Sequence, residues 1–191
     1  YYLHESDITL SIQDNDFQIN QNKSEPWKIT LVDTGDNSMT GGRLKRVLPY
    51  IKNEEAFCFT YGDGVSDINI AELINFHKRH GKQATLTSAF PPGRFGALSI
   101  DDNKVKRFEE KPKGDGALIN AGFFVLSPKV IERIEGDNSI WEQEPLKGLA
   151  EAGELMSFKH EGFWQPMDTM RDKMKLEELI EQDKAPWKTW K

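Results

Sequence analysis

The chain has 191 residues, of which 37% are hydrophobic and 29% charged, and its 25 Lys and Arg against 31 Asp and Glu leave a formal net charge of -6. That length allows one sizeable core. No apolar run approaches the ~20 residues of a membrane-spanning helix, and the acidic balance argues against a nucleic-acid coat while leaving room for a local basic pocket that takes an anionic small molecule. Cys58 is the single cysteine, so an internal disulfide and a thiolate metal cluster are excluded. A reducing cytoplasm fits, and the mid-strand position of Cys58 reads as core.

The chain begins Tyr1-Tyr-Leu-His4, with neither an initiator Met nor a leader, and is expected to be part of a longer protein, with residues 1–191 forming one unit. Ile8, Leu10 and Ile12 alternate on one face, and Ile29, Leu31 and Val32 follow Pro26-Trp27, which predicts two strands joined by a polar loop. The turn-rich segment Asp33 to Arg43 then opens a helix with Thr40 as a plausible N-cap. Leu44, Val47, Leu48 and Ile51 form its apolar face, and Pro49 should end or bend it near Leu48. Gly41 and Gly42 in its first turn are expected to leave backbone N–H groups open to a ligand, with Arg43 beside them. A solvated surface Arg is the competing reading.

The stretch Phe57-Cys-Phe-Thr-Tyr-Gly-Asp-Gly-Val65 organises the rest: an aromatic strand that stops at a carboxylate held between two glycines. In an open α/β sheet ligands collect beyond the carboxyl ends of strands. Asp63 is thus either a carboxylate facing that crevice or a turn residue bonding its own backbone. Asp67 or Asn69 caps a helix with Ile70, Leu73, Ile74 and His77 on one face, where His77 reads as packing, and Gly81 ends it. The strand 84–90 follows, and this strand–helix–strand order predicts a crossover and a parallel sheet. The loop Pro91 to Gly96 leaves that strand on the same side of the sheet as Asp63.

Residues 98–100 and 105–108 predict a hairpin. The apolar run 118–126 carries Asn120 and Gly122, which marks close approach of a ligand or another backbone. Residues 128–134 and 142–152 read as helices and 155–158 as a strand. Asp168 reads as the N-cap of a last helix carrying Met174, Leu176, Leu179 and Ile180. Trp187 and Trp190 have no obvious intrachain face, which suggests packing on a neighbouring subunit and hence a homo-oligomer.

Eight segments, in order, carry a resemblance: Val32-Asp-Thr-Gly35, Thr40-Gly-Gly-Arg-Leu-Lys-Arg46, Thr60-Tyr-Gly-Asp-Gly-Val65, Phe90-Pro-Pro-Gly-Arg-Phe-Gly96, Glu110-Lys-Pro-Lys-Gly-Asp-Gly116, Asn120-Ala-Gly-Phe-Phe124, Trp141-Glu-Gln-Glu-Pro145 and Phe163-Trp-Gln-Pro-Met-Asp-Thr169. Together they resemble the sugar-phosphate nucleotidyltransferases, and among these the enzymes that make CDP-glucose. The resemblance implies a Rossmann-like α/β fold of the nucleotide-diphospho-sugar transferase type: a mixed, mostly parallel sheet flanked by helices, with a small antiparallel hairpin region. Members of this family begin with a G-G-x-G-T-R loop and a K-P-K-P segment, neither of which is in this sequence. The N-terminal βα units that cradle the nucleotide phosphates are therefore expected to be absent from it.

The reaction implied by the resemblance joins CTP and glucose 1-phosphate to give CDP-glucose and pyrophosphate. Its obstacle is the repulsion of two anions, so positioning and charge neutralisation should dominate. By the same resemblance Asp63 and Asp168 hold Mg²⁺. Glu110 accepts from glucose hydroxyls and Lys111 holds the sugar phosphate. Asn120, Gly122 and the Gly96 backbone complete the sugar pocket, and Tyr61 and Gly62 line the same crevice. Thr40, Gly41, Gly42 and Arg43 correspond to the base-reading segment, where a guanidinium can donate to cytosine O2 and N3. Two alternatives are a metal-dependent glycosyltransferase using Asp63 and Asp67, and a non-catalytic subunit that binds sugar phosphate.

Overall fold

In the computed structural model the described residues are 6–22, 27–92, 97–101, 103–109 and 117–189, and the chain divides into two units, Tyr1–Asp33 and Thr34–Lys191. In the first unit β1 (Ser6–Ser11) pairs antiparallel with β2 (Asp16–Asn22), setting Ile8 opposite Ile19 and Leu10 opposite Phe17. The second strand is therefore not the 29–32 run expected from its apolar residues. Asn15 takes a left-handed turn at φ 50°, and Ser11 Oγ donates to Asp14 Oδ2 at 2.7 Å, so the chain reverses at once. The Phe17 and Ile19 alternation then takes the ladder, while Ile29 and Leu31 are exposed and outside any strand.

The second unit opens with α1 (Thr40–Arg46) and α2 (Leu48–Ile51), which are separated at Val47 with Pro49 in the first turn of α2, as the Pro position required. Next come β3 (Phe57–Thr60), β4 (Gly64–Ser66), α3 (Ile70–His80) and β5 (Ala84–Ala89). The hairpin β6 (Ala97–Asp101) and β7 (Lys104–Glu109) forms where alternation placed it. The chain continues with β8 (Ile119–Leu126), a 3-10 helix (Pro128–Arg133), α4 (Glu144–Glu151), β9 (Leu155–His160), β10 (Trp164–Pro166) and α5 (Met170–Glu181).

The main sheet has the order β3-β8-β5-β9. β3, β5 and β9 run one way and β8 runs against them. The α3 crossover thus joins two parallel strands, but β8 is inserted between them, which makes the sheet mixed. Alternation along β8 divides the core. Phe124 and Leu126 pack with Leu44, Val130, Ile131, Ile134, Trp141 and Leu149, while Val125 and Phe123 pack with Ile68, Leu73 and Phe158. Both faces of the sheet are covered by helices, and Leu126 and Leu149, each 0% exposed, contribute about 2 kcal/mol apiece by leaving water.

Asn69, not Asp67, caps α3: its side chain accepts from Glu72 N, and Gly81 closes the helix in the left-handed region at φ 66°. His77 is buried as a packing residue. Cys58 departs from its expected core position. β3 lies at an edge of the four-stranded sheet and turns Phe57 and Phe59 toward the core, so the intervening Cys58 faces outward and is exposed. Trp187 also departs from expectation, because Asp183 (φ 52°) reverses the chain after α5 and the indole stacks on Phe163 within the same chain, centroids 5.3 Å apart. Trp190 lies outside the described residues.

Candidate functional site

The strand-end carboxylate lies where the sequence placed it. β3 ends at Thr60, the chain turns through Gly62 and Asp63, and β4 departs from Gly64. β4 pairs antiparallel with β10, Gly64 facing Pro166 and Ser66 facing Trp164. The pairing is prolonged by Met167 N–H donating to the Asp63 carbonyl at 2.7 Å. Asp63 and Asp168 are thereby brought to neighbouring strand ends, and both residues are exposed.

Asp168 does not cap α5. Thr169 does, in a capping box with Asp172, and Asp172 is itself held by Gln165 Nε2 at 3.0 Å. The Asp168 residue stands one position before that cap, at the electropositive end of a 12-residue helix. Asp67 is committed elsewhere. Its Oδ1 accepts from Phe163 N at 2.7 Å and lies 3.0 Å from His160 Nε2, and so fastens the β9–β10 loop beside β4. That use of Asp67 speaks against the metal pair Asp63 and Asp67.

Beside Asp63 the β8 strand bulges. Leu86 opposes Phe124 but Ser88 opposes Asn120, and Gly122 sits in the irregularity at φ 79°. A Cβ on Gly122 would stand 2.7 Å from Tyr61 Cδ2, so at this point of the bulge only a glycine admits the Tyr61 ring. Asn120 Oδ1 accepts from Gly122 N at 2.9 Å, and the Asn120 side chain hydrogen-bonds the Tyr61 phenol. The close approach read from Asn120 and Gly122 is therefore to a protein side chain. Tyr61 donates to Glu142 Oε1. Burial above all, then this hydrogen bond and the charges of Glu142 and Asp63, push the phenol pKa far up.

Thr40 is the first residue of α1 rather than its cap, which is Met39. Its hydroxyl accepts from Trp141 N at 2.9 Å and donates to Glu142 Oε2 at 2.9 Å. The N–H groups of Gly41 and Gly42 are not open either: both donate to the Ser139 carbonyl, at 2.9 and 3.2 Å. A Cβ on Gly41 would fall 2.7 Å from that oxygen, and one on Gly42 would fall 2.6 Å from Asp137 Cα. The glycines are there because the 137–139 backbone lies against the helix.

Arg46 fixes the same loop with two bonds to the Asp137 carboxylate, 2.9 and 2.6 Å, which hold that carboxyl below its usual range. Arg43 is exposed, and its two terminal nitrogens are anchored, Nη1 donating to Thr34 Oγ1 at 2.7 Å and Nη2 to the Asp36 carbonyl at 3.2 Å, two of the five N–H bonds a guanidinium offers. Gly96, Glu110 and Lys111 lie outside the described residues. Glu142 had been only part of a matching segment. Nothing local marks it, because its partners Thr40 and Tyr61 come from remote parts of the chain.

Comparison with known proteins agrees with this architecture. Residues 12–174 match the nucleotidyl transferase family. The chain is 63% identical over 190 residues to the glucose-1-phosphate cytidylyltransferase of Salmonella typhi, a match covering the whole chain and 74% of that relative. It is 34% identical over 140 residues to the mannose-1-phosphate guanyltransferase of Emericella nidulans, covering 70% of this chain and 38% of that one. Among solved structures, HddC from Yersinia pseudotuberculosis shares the fold with a TM-score of 0.58 at 23% identity, over 76% of this chain and 64% of that one. The chain therefore belongs to the nucleotidyl transferase family, and within it to the glucose-1-phosphate cytidylyltransferases.

Proposed function

We propose that the protein makes CDP-glucose and pyrophosphate from CTP and glucose 1-phosphate, with Asp63 and Asp168 as the carboxylates that hold Mg²⁺. A phosphate oxygen of glucose 1-phosphate attacks the α-phosphorus of CTP in line. The new P–O bond forms as the bond to the departing pyrophosphate breaks. The observation that carries the reading is the Met167 N–H bond to the Asp63 carbonyl, which makes the two aspartates neighbours.

The donor set suits the ion. No group of three or more His, Cys, Asp or Glu gathers among the described residues. Mg²⁺ is ordinarily bound by one or two carboxylates, its other positions filled by water and substrate phosphate oxygens. When bound, it supplies charge neutralisation that lets two phosphates approach.

The chain's own residues supply position and selectivity. Arg43, whose Nη1 and Nη2 each give one proton to Thr34 and Asp36, donates its remaining N–H bonds to cytosine O2 and N3, where uracil offers N3–H instead. Gly41 and Gly42 serve by letting α1 lie against Ser139, which sets the height at which Arg43 meets the nucleotide. Tyr61, Gly62, Asn120 and Gly122 form the wall on the sugar side. Glu110 accepts from glucose hydroxyls, Lys111 offsets the sugar phosphate, and the Gly96 backbone closes the pocket. The enzyme works in the cytoplasm. Among the described residues no helix is long and apolar enough to cross a membrane. Pyrophosphate release measured with each of the four nucleotides and glucose 1-phosphate tests the reading: turnover with CTP alone is expected, and equal turnover with UTP would overturn it.

A further inference from the structure

The Glu142 carboxylate gathers hydrogen bonds from two directions. Its Oε2 takes the Thr40 hydroxyl and its Oε1 the Tyr61 phenol. Each of those groups is in turn bonded by an amide, Thr40 by Trp141 N and Tyr61 by the Asn120 side chain. Asn120 then accepts from Gly122 N within the β8 bulge. The chain of bonds runs from the first residue of α1, which carries the nucleotide-side group Arg43, to the bulge on the sugar side.

The donors all point one way. A hydroxyl that accepts from an amide and gives its only proton to a carboxylate has no proton left for a ligand. Thr40 and Tyr61 are therefore framework in this site, and their donors end on Glu142, which satisfies both with separate oxygens. Phe59 and Phe124 stand against Trp141, the residue before Glu142, and the Tyr61 ring packs edge-on to both of them, so the carboxylate is mounted on the core.

We infer that Glu142 is a positioning residue for the nucleotidyl transfer: it fixes the distance between the Thr40–Arg43 segment and the Tyr61–Asn120–Gly122 wall, and so the approach of sugar phosphate to nucleotide. The inference rests on the proposed function. It adds that catalysis depends on a carboxylate that touches neither substrate. Each half of the site survives loss of Glu142, because α1 keeps its bonds to Ser139 and Asp137, and the bulge keeps its Gly122 turn. What is lost is the carboxylate link between the Thr40 and Tyr61 hydroxyls, the part of their registration that Trp141 does not supply through its bond to Thr40 and its packing on Phe59 and Phe124. Misplacement of reacting groups by about 1 Å is enough to slow a reaction ~100-fold.

The test compares wild type, Glu142→Gln, Tyr61→Phe and the double variant in the full-length protein. Kinetics are read with CTP and glucose 1-phosphate, together with equilibrium binding of each substrate alone. Glu142→Gln keeps the shape but can accept at only one of its two positions. The expected result is a kcat lowered about 10- to 100-fold, binding of each single substrate changed by less than about threefold, and a double variant no worse than Glu142→Gln. Wild-type kcat in Glu142→Gln would overturn the inference. So would a loss explained wholly by weaker binding of one substrate, or by unfolding at the assay temperature. Should the wild type turn over a different nucleotide and sugar phosphate, the function reading falls, and the same variants are judged on that pair.

Discussion

The Met167 amide donates to the Asp63 carbonyl at 2.7 Å, and this bond is the last rung of the short β4–β10 ladder. It joins the turn after β3 to the residue preceding Asp168. The Met167 side chain is 44% exposed, so the backbone rather than the side chain does the joining. Met167→Pro removes the amide proton and is expected to lower activity at least tenfold, beyond the ~1 kcal/mol of stability that one such bond contributes. Met167→Ala should remain near wild type in a side-by-side assay, and equal activity of the two variants would contradict the role given to this bond.

Gly122 is held at φ 79° with the Tyr61 ring against its Cα, whereas Gly153, at φ 67°, has no atom within 4 Å of where a Cβ would stand. Gly153→Ala thus bears backbone strain alone, about 1 kcal/mol. Gly122→Ala must also push the Tyr61 ring aside and should cost roughly 1–3 kcal/mol more, read as the difference in urea midpoints. A matching pair of midpoints would mean that the ring moves freely.

Arg43→Ala is expected to lower the preference for CTP over UTP by about tenfold or more while leaving the fold intact, since the residue is exposed and its partners are the Thr34 hydroxyl and a carbonyl. The ratio of kcat/KM for the two nucleotides measures it. An unchanged ratio would remove Arg43 from base selection.

His77 and His80 share Thr85, whose hydroxyl lies 2.9 Å from His77 Nδ1 and 2.7 Å from His80 Nε2. The Lys82 amide donates to His80 Nδ1, so His80 donates through Nε2 to Thr85, and Thr85 donates to His77. A further proton on either ring has no acceptor in this arrangement. Burial is the main cause that lowers both imidazoles below their ordinary 6.5, followed by their charged neighbours, His80 for His77 and Lys82 for His80. The unfolded chain therefore takes up these protons first as the pH falls. Their contribution to stability is complete above 6.5 and is lost as the pH drops from there through the lower folded values. Urea midpoints followed from about pH 8 to about pH 5 should decline, and His77→Gln should flatten the decline. An unaltered slope in that variant would contradict the assignment.

The parts legible in the sequence were those fixed by neighbours along the chain. The Pro49 break, the 97–109 hairpin and the turn at Asp63 each follow from chemistry within a few residues, whereas Asp67 and Asn69 were equally good caps for α3 until Asn69 accepted from Glu72 N. Gly122 announced a close approach because a glycine inside an apolar strand has few other uses. Where remote segments meet, local reading failed. Gly41 and Gly42 looked like an open cradle until Ser139 occupied their amides, and Thr40 looked like a cap until Glu142 and Trp141 took its hydroxyl. The β1–β2 register depended on a turn at Asn15, whose effect outweighed the stronger apolar signal at Ile29 and Leu31. Asp168 and Thr169 were separable only by the capping box with Asp172.

Titration of Mn²⁺, as a paramagnetic stand-in for Mg²⁺, into wild type, Asp63→Asn and Asp168→Asn bears most directly on the pairing of these two carboxylates. Each single substitution is expected to weaken metal binding by about tenfold or more, with the circular dichroism of all three proteins superimposable. Wild-type metal affinity in either variant would show that the two aspartates do not share one ion.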